Sequence, residues 1–214
     1  MRIDIFSDTV CPWCFIGKRR LERALAERPQ PGLTVRWRTF QLNPDMPAEG
    51  MDRRTYLERK FGGSQNAERV YGAVREAGQS EGIPFAFDRI ARTPNSLKSH
   101  QLLAFAAEQG DQDPLVERLF NLYFIEGADI GDTEVLIAAA GDVGLDTAAA
   151  RAFLDEGRAL DLVGEEDRQA RQAGIQGVPT FVFNGHYAMS GAQEPKALFQ
   201  LFDLAREEAT PAAE

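Results

Sequence analysis

Both cysteines of the chain lie two residues apart, in Ser7-Asp8-Thr9-Val10-Cys11-Pro12-Trp13-Cys14-Phe15-Ile16-Gly17-Lys18. They sit where a short apolar-alternating run, Ile3, Ile5 and Phe6, gives way to a helical pattern. This placement constrains the fold strongly, because a strand must deliver the chain to the start of a helix at that point. A Cys-x-x-Cys at a strand-to-helix junction has the form of a dithiol redox site.

Position supplies the physical case. Pro12 suits the first turn of a helix, since its missing N–H would have lacked an intrahelical partner and its φ is already helical. Cys11 therefore falls at the cap, where unpaired backbone N–H groups and the positive end of the helix dipole stabilise a thiolate, the form that attacks a disulfide. Cys14 lies one turn further in, can close onto Cys11 and should be the less exposed of the two. Cys11 is expected to be the nucleophile and Cys14 the resolving thiol.

A length of 214 residues allows one domain, or one domain carrying an insertion, with a sizeable core. The formal net charge of −9 argues against nucleic acid or an anionic membrane surface as the main partner. Met1-Arg2-Ile3-Asp4-Ile5 enters a strand pattern directly, without the features of a secretory leader. No run approaches the ~18 consecutive apolar residues of a membrane span. The expected setting is the cytoplasm, where a lone cysteine pair is catalytic or redox-sensing rather than structural. No metal is expected, because Cys11, Cys14, His100 and His186 match no zinc-finger spacing.

In chain order the first segment reads β-α-β: a strand from Ile3 to Phe6, a helix from Pro12 to about Arg28, and a strand over Leu33 to Arg38 with Leu33, Val35 and Trp37 on one face. A unit of this length implies a right-handed crossover and a parallel pair. From Asn43 to about Asp155 helical patterns dominate. One carries Ala67, Val70, Tyr71 and Val74, a second runs from Ser96 to Gln109, a third starts at Asp113-Pro114, and Asp132 and Asp146 are N-cap candidates for two more. A polar helix over roughly Arg158 to Ala173 follows. Val178 to Phe183 then reads as a strand, Asn184-Gly185 as a two-residue hairpin turn, His186 to Met189 as the returning strand and Pro195 to about Arg206 as a last helix. The fold class is α/β: residues 1–42 and 156–208 form a discontinuous domain, 43–155 a helical insertion and 209–214 a frayed tail.

Pro179, at the mouth of a strand, is the second informative residue. Proline cannot donate to a sheet ladder and belongs at a strand's first residue or an edge. Either Pro179 is an ordinary trans strand-entry proline, or Val178-Pro179 is a cis bond that turns the chain beside Cys11 and leaves the Val178 backbone free to pair with an extended substrate.

Cys11-Pro12-Trp13-Cys14 opening the first helix of a β-α-β unit, a long helical insertion, and Gly177-Val178-Pro179-Thr180-Phe181 before a hairpin and helix together resemble the thioredoxin superfamily, in its DsbA branch. The stretch from Ser7 to Gly17, with Asn95, His100 and Gly191-Ala192-Gln193, is similar to the cytoplasmic FrnE-like proteins of that branch. The resemblance spans nearly the whole chain. It implies a thioredoxin-like fold with an inserted all-helical subdomain, and a thiol–disulfide oxidoreductase whose cysteines lie next to a cis proline. The substrate would be a disulfide-containing protein or small thiol, with no cofactor beyond the redox-active disulfide and glutathione eligible as co-substrate. A further C-terminal cysteine pair found in some FrnE-like proteins is missing here, which weakens any internal electron relay. Relatives similar to kappa-class glutathione transferases and 2-hydroxychromene-2-carboxylate isomerases carry serine at the attacking position, so two cysteines favour redox chemistry.

Pro12, Trp13, Val178 and Pro179 are the expected substrate-binding residues, with Trp13 partly exposed. Asp8 either accepts a proton from Cys14 or tunes Cys11, or is a loop or cap residue. His100 shares a helix face with Leu97, Leu103, Ala104 and Ala107, so it is read first as a satisfied core histidine and second as a tuning residue. Lys18, Arg19 and Arg20 read as a solvated helix face, with stabilisation of a thiolate or an acidic thiol as the alternative. Phe120, Tyr123 and Phe124 are expected to pack the insertion's core. A redox-gated binding protein with little turnover and a glutathione-dependent isomerase or transferase stay open beside the oxidoreductase, and the sequence leaves the oligomeric state open.

Overall fold

A computed structural model describes residues 1–209. Its central sheet has four strands, β1 (Arg2–Ser7), β2 (Thr34–Thr39), β5 (Thr180–Phe183) and β6 (Tyr187–Ser190), in the order β2-β1-β5-β6. β1 and β2 are parallel, with Ile3 opposite Val35 and Ile5 opposite Trp37, and are joined by helix α1 (Pro12–Glu27), which gives the expected β-α-β unit. β5 lies antiparallel to β1, placing Phe183 opposite Ile3 and Phe181 opposite Ile5. These facing residues make one apolar sheet face, because directly opposed residues point to the same side.

α1 packs on that face with Gly17 against Phe181. Helix α9 (Pro195–Ala209) joins it there through a ring pair between Phe202 and Phe183, 6.0 Å apart. α9 continues past the expected end near Arg206. Of the tail expected to fray, Ala209 closes this helix and residues 210–214 lie outside the described residues.

Between β2 and β5 the chain forms the helical insertion. A two-residue strand β3 (Met51–Asp52) pairs with β4 (Arg92–Thr93) around α2 (Arg53–Phe61) and α3 (Ser64–Ser80). After β4 come α4 (Leu97–Gln109), α5 (Asp113–Asn121) and a π-helical turn over Leu122–Glu126, which ends the third predicted helix before Leu122 and Tyr123. Two more helices follow, α6 (Thr133–Asp142) and α7 (Thr147–Asp155), and Asp132 and Asp146 cap them by accepting backbone N–H bonds, as their sequence positions require. The polar helix α8 (Leu160–Gln172) then leads back to the sheet.

Edge strand β2 is covered rather than left open. The Gln112 side chain accepts from the Trp37 N–H at 2.9 Å and donates to the Trp37 carbonyl at 3.2 Å, while the Glu166 carboxylate accepts from the Thr39 N–H. These side chains satisfy ladder groups that would otherwise invite another strand. They also tie the insertion to the sheet.

The strands differ from expectation at two places. β5 starts at Thr180, so Val178 and Pro179 precede it, in keeping with a proline that has no N–H to give a ladder. His186 belongs to the turn instead of the returning strand, since Phe183 is paired with Tyr187. Asn184 and Gly185 both have positive φ, the conformation for which an Asn-Gly pair is suited.

Candidate active site

Cys11 is the N-cap of α1 and Pro12 its first residue. No side chain caps the helix and no acidic residue lies in its first turn, so backbone N–H groups and the helix dipole are available to a sulfur at this position. The Val178-Pro179 bond is cis and brings the far end of the sequence to the same spot. The Cys11 thiol donates to the Val178 carbonyl at 3.5 Å. Gly17, one helical turn below the cysteines, makes this approach sterically feasible: a Cβ there would lie 2.9 Å from the Pro179 ring.

Both cysteines are free thiols. Cys14, expected to be the less exposed of the two, is 1% exposed, and Cys11 is itself only 3% exposed. The insertion and the loop before β5 cover the helix N-terminus, which the local sequence around Cys11 does not encode. A disulfide reaches Cys11 only as neighbouring side chains give way. Pro12, Trp13 and Val178 are half-buried and form the rim of the site, while Pro179 is buried within it.

Burial pushes the Cys14 thiol well above its ordinary pKa, and the bond and charge of Cys11 add to the shift. The Ser7 hydroxyl and the Asp8 backbone N–H act in the opposite sense. Cys14 is therefore held as a neutral thiol at neutral pH. Ser7 was not singled out by the sequence, and no local pattern marks it, because its relation to Cys14 arises only when β1 and α1 pack.

A family model described as the DSBA-like thioredoxin domain matches residues 2–203. The chain belongs to the DSBA-like thioredoxin domain family. It is 32% identical to the probable DsbA oxidoreductase SCO1869 from Streptomyces coelicolor, with a TM-score of 0.89 over 100% of this chain and 93% of that one. The uncharacterized protein YwbO of Bacillus subtilis (strain 168) is 26% identical over 193 residues, 90% of each chain. The cytosolic disulfide reductase DsbM from Pseudomonas aeruginosa, solved with GSH, shares the fold at 21% identity and a TM-score of 0.64, over 98% of this chain and 97% of that one.

In this DsbA-like protein the two expected tuning residues lie side by side. Asp8 is fully buried, its Oδ2 accepting the Leu42 N–H at 2.7 Å and its Oδ1 the Val10 N–H at 3.4 Å. It thus ties the Val10 and Leu42 backbone together beside Cys11. His100 Nε2 approaches Asp8 Oδ1 to 3.4 Å, within ion-pair distance but without hydrogen-bond alignment, and that nitrogen has no other partner. His100 is buried, yet it is not the satisfied core histidine expected. It also faces, with Ser7 and Thr9, a cavity of about 490 Å³ beneath β2 and α4.

The cations after Cys14 are not a solvated face. Lys18 is buried and surrounded by Glu22, by Asp113 at 2.9 Å and by Glu117 at 3.2 Å. Burial alone would lower its pKa, but the bonds to Glu22 and Asp113 hold it above the ordinary lysine value. Arg19 pairs with Glu22 and Glu117, and Arg20 with Glu81 and Glu194. These residues join α1 to the insertion and to the segment before α9, and each charge is already answered, so none is left over for a thiolate. Phe120 and Phe124 pack as expected, and they do so directly against α1: Phe15 stacks on Phe120 at 5.1 Å and lies 6.3 Å from Phe124.

Proposed function

We propose that the protein is a thiol–disulfide oxidoreductase that uses Cys11 as nucleophile and Cys14 as resolving thiol. The observation that carries this reading is the Cys11 thiol at the N-terminus of α1, where no side chain caps the helix, bonded to the Val178 carbonyl beside Pro179, with a neutral Cys14 one turn below. The Cys11 thiolate attacks one sulfur of a substrate disulfide, forming a mixed disulfide and releasing the other substrate sulfur as thiolate. Cys14 then gives up its proton and attacks the Cys11 sulfur. The second substrate thiolate leaves, and the pair of electrons from the dithiol ends on the substrate while Cys11 and Cys14 become a disulfide. The reverse sequence oxidises a substrate dithiol.

The substrate in this reading is a disulfide-containing protein or a small thiol compound, with glutathione as a co-substrate; the structurally similar DsbM was solved with GSH. A cytosolic setting belongs to the same proposal. No helix among the described residues is long and apolar enough to cross a membrane.

The test is turnover of insulin and of glutathione mixed disulfides by single-cysteine variants. Cys11→Ser should abolish exchange, and Cys14→Ser should accumulate a covalent mixed disulfide at Cys11, visible by mass spectrometry. Full activity in the Cys11→Ser protein would sink the proposal.

A further inference from the structure

Arg53 opens α2 and is 8% exposed. Its Nη1 donates to Thr93 Oγ1 at 3.0 Å and to the Tyr123 hydroxyl at 3.5 Å, and its Nη2 donates to the Tyr71 hydroxyl at 2.8 Å. Its Nε is buried with no acceptor among the described residues. The guanidinium lies 5.1 Å from the ring centre of Tyr71 and 5.7 Å from that of Tyr56. All of these partners are neutral. Arginine cannot shed its proton in a protein, so the charge stays and only an anion answers it fully.

Four acids line the cavity beside Arg53: Asp88 is exposed, and the other three are engaged elsewhere. Glu58 pairs with Arg54 at 3.0 Å, Glu68 pairs with Arg75 at 2.6 Å, and Asp52 accepts the Thr55 N–H as the cap of α2. By contrast, the buried Lys18 has three carboxylates beside it and Asp167 has Arg171. A buried charge without a counter-charge is costly, and hydroxyl groups and ring faces recover only part of that cost. A planar fork held by three hydroxyls, with Nε still unmet, has the geometry of a site for a carboxylate.

The surroundings fit a small ligand, and a run of aromatic rings leads from them to α1. Arg53 and Tyr71 line a cavity of about 560 Å³, walled on its apolar side by Leu57, Ala67, Phe87 and Ile90. That size is typical of small-molecule sites. Ring contacts run from Tyr71 to Phe87 at 4.6 Å, from Phe87 to Phe85 at 4.8 Å and from Phe85 to Phe15 at 6.0 Å, ending next to Cys14 in sequence. Tyr71 also lies near enough to Cys11 to feel its charge: burial is the main cause of its raised hydroxyl pKa, and Cys11 contributes in the same direction.

We propose that Arg53, positioned by Tyr71 and Thr93, is an anion subsite that binds a carboxylate of a small thiol or disulfide substrate, so that the inserted helices favour acidic over neutral disulfides at Cys11. This rests on the thiol–disulfide reading for its choice of substrate, and its test is a binding measurement that needs no exchange chemistry. The probe is S-methylglutathione, a thioether that cannot exchange, titrated calorimetrically into the Cys11→Ser/Cys14→Ser protein beside a control with both carboxylates converted to amides. Arg53→Gln should weaken S-methylglutathione roughly ten- to hundred-fold, the range for a lost charge-assisted hydrogen bond, and reduce its preference over the amide by the same factor. Inorganic sulfate should compete with S-methylglutathione on the parent protein and not on the Arg53→Gln variant. Unchanged binding of S-methylglutathione, or equal weakening of the acid and the amide, overturns the proposal. If Arg53→Gln does not fold, the acid-to-amide ratio is read on Arg53→Lys, which keeps the charge and loses the fork; an unchanged ratio there overturns it equally. Binding that behaves as expected in a protein whose cysteines catalyse no exchange would refute the oxidoreductase reading and leave the anion subsite standing.

Discussion

Gly17 and Lys18 are neighbours in sequence and stand on two different borders of α1. At Gly17 the helix backbone meets the sheet side: a Cβ would come 2.9 Å from the Pro179 ring and 3.2 Å from Phe181. At Lys18 the helix meets the insertion through a side chain that is 4% exposed and ringed by Glu22, Asp113 and Glu117, all of them partly exposed. The first border is a contact between backbone and a rigid ring, with no room to adjust. The second is made by long side chains that can rearrange. The geometry of Cys11 and Val178 thus depends on the first, and the attachment of the insertion depends on the second.

Gly17→Ala is the sharpest way to break this contrast. Alanine improves helix propensity by about 1 kcal/mol, whereas overpacking a tight contact costs about 1–3 kcal/mol. Overpacking is expected to win, because a proline ring beside the reacting sulfur is not the flexible end of a side chain. Displacing Val178 and Pro179 relative to Cys11 should cost about 10²-fold in the exchange rate, the scale of a 1 Å misplacement. Single-turnover reduction of a disulfide, followed together with urea unfolding, reads both quantities. Wild-type turnover in Gly17→Ala would mean that the border has slack after all.

Lys18→Met should move stability and leave the intrinsic exchange step nearly alone. Removing one partner of a buried ion pair costs about 3–5 kcal/mol, and an exposed pair is worth about 1 kcal/mol or less. With a buried lysine and part-exposed carboxylates, the expected loss is about 2 kcal/mol by urea unfolding. A drop in exchange rate as large as that of Gly17→Ala would merge the two borders into one.

The same contrast governs what the sequence reveals. The sheet border is legible because its parts are backbone-dictated: Pro12 starts a helix at Cys11, Pro179 must precede a ladder, Asn184-Gly185 turns a hairpin, and Asp132 and Asp146 cap helices. Each of these follows from the local conformational limits of one or two residues. The insertion border is written in side chains from distant segments. Lys18 is solvated or caged depending on where Asp113 and Glu117 fall, Cys11 is open or covered depending on the insertion, and the unanswered charge of Arg53 comes from bonds that go to hydroxyls of distant segments rather than to carboxylates. His100 shows the limit well. Its helix face marks it as buried, but only the tertiary fold leaves its Nε2 beside Asp8 without alignment.

The smallest effect concerns Cys14, which the sheet border holds between Ser7 and Cys11. Burial is the main cause of its raised thiol pKa, so the folded protein binds this proton more tightly than the unfolded chain does. Its contribution to stability is complete below the ordinary thiol value of about 8.5 and is lost as pH rises from there toward the raised folded value. The reduced protein should therefore lose up to about 1.4 kcal/mol of unfolding free energy per pH unit above that value, the limit set by a single proton. Cys14→Ala should lack this component. The measurement belongs between about pH 8 and 10, where lysines are still largely protonated, so that the charges of the insertion border do not contribute to the slope. Parallel stability curves for the reduced protein and Cys14→Ala would show that the unfolded chain and the folded site hold the proton equally, and that the sheet border does not desolvate the resolving thiol.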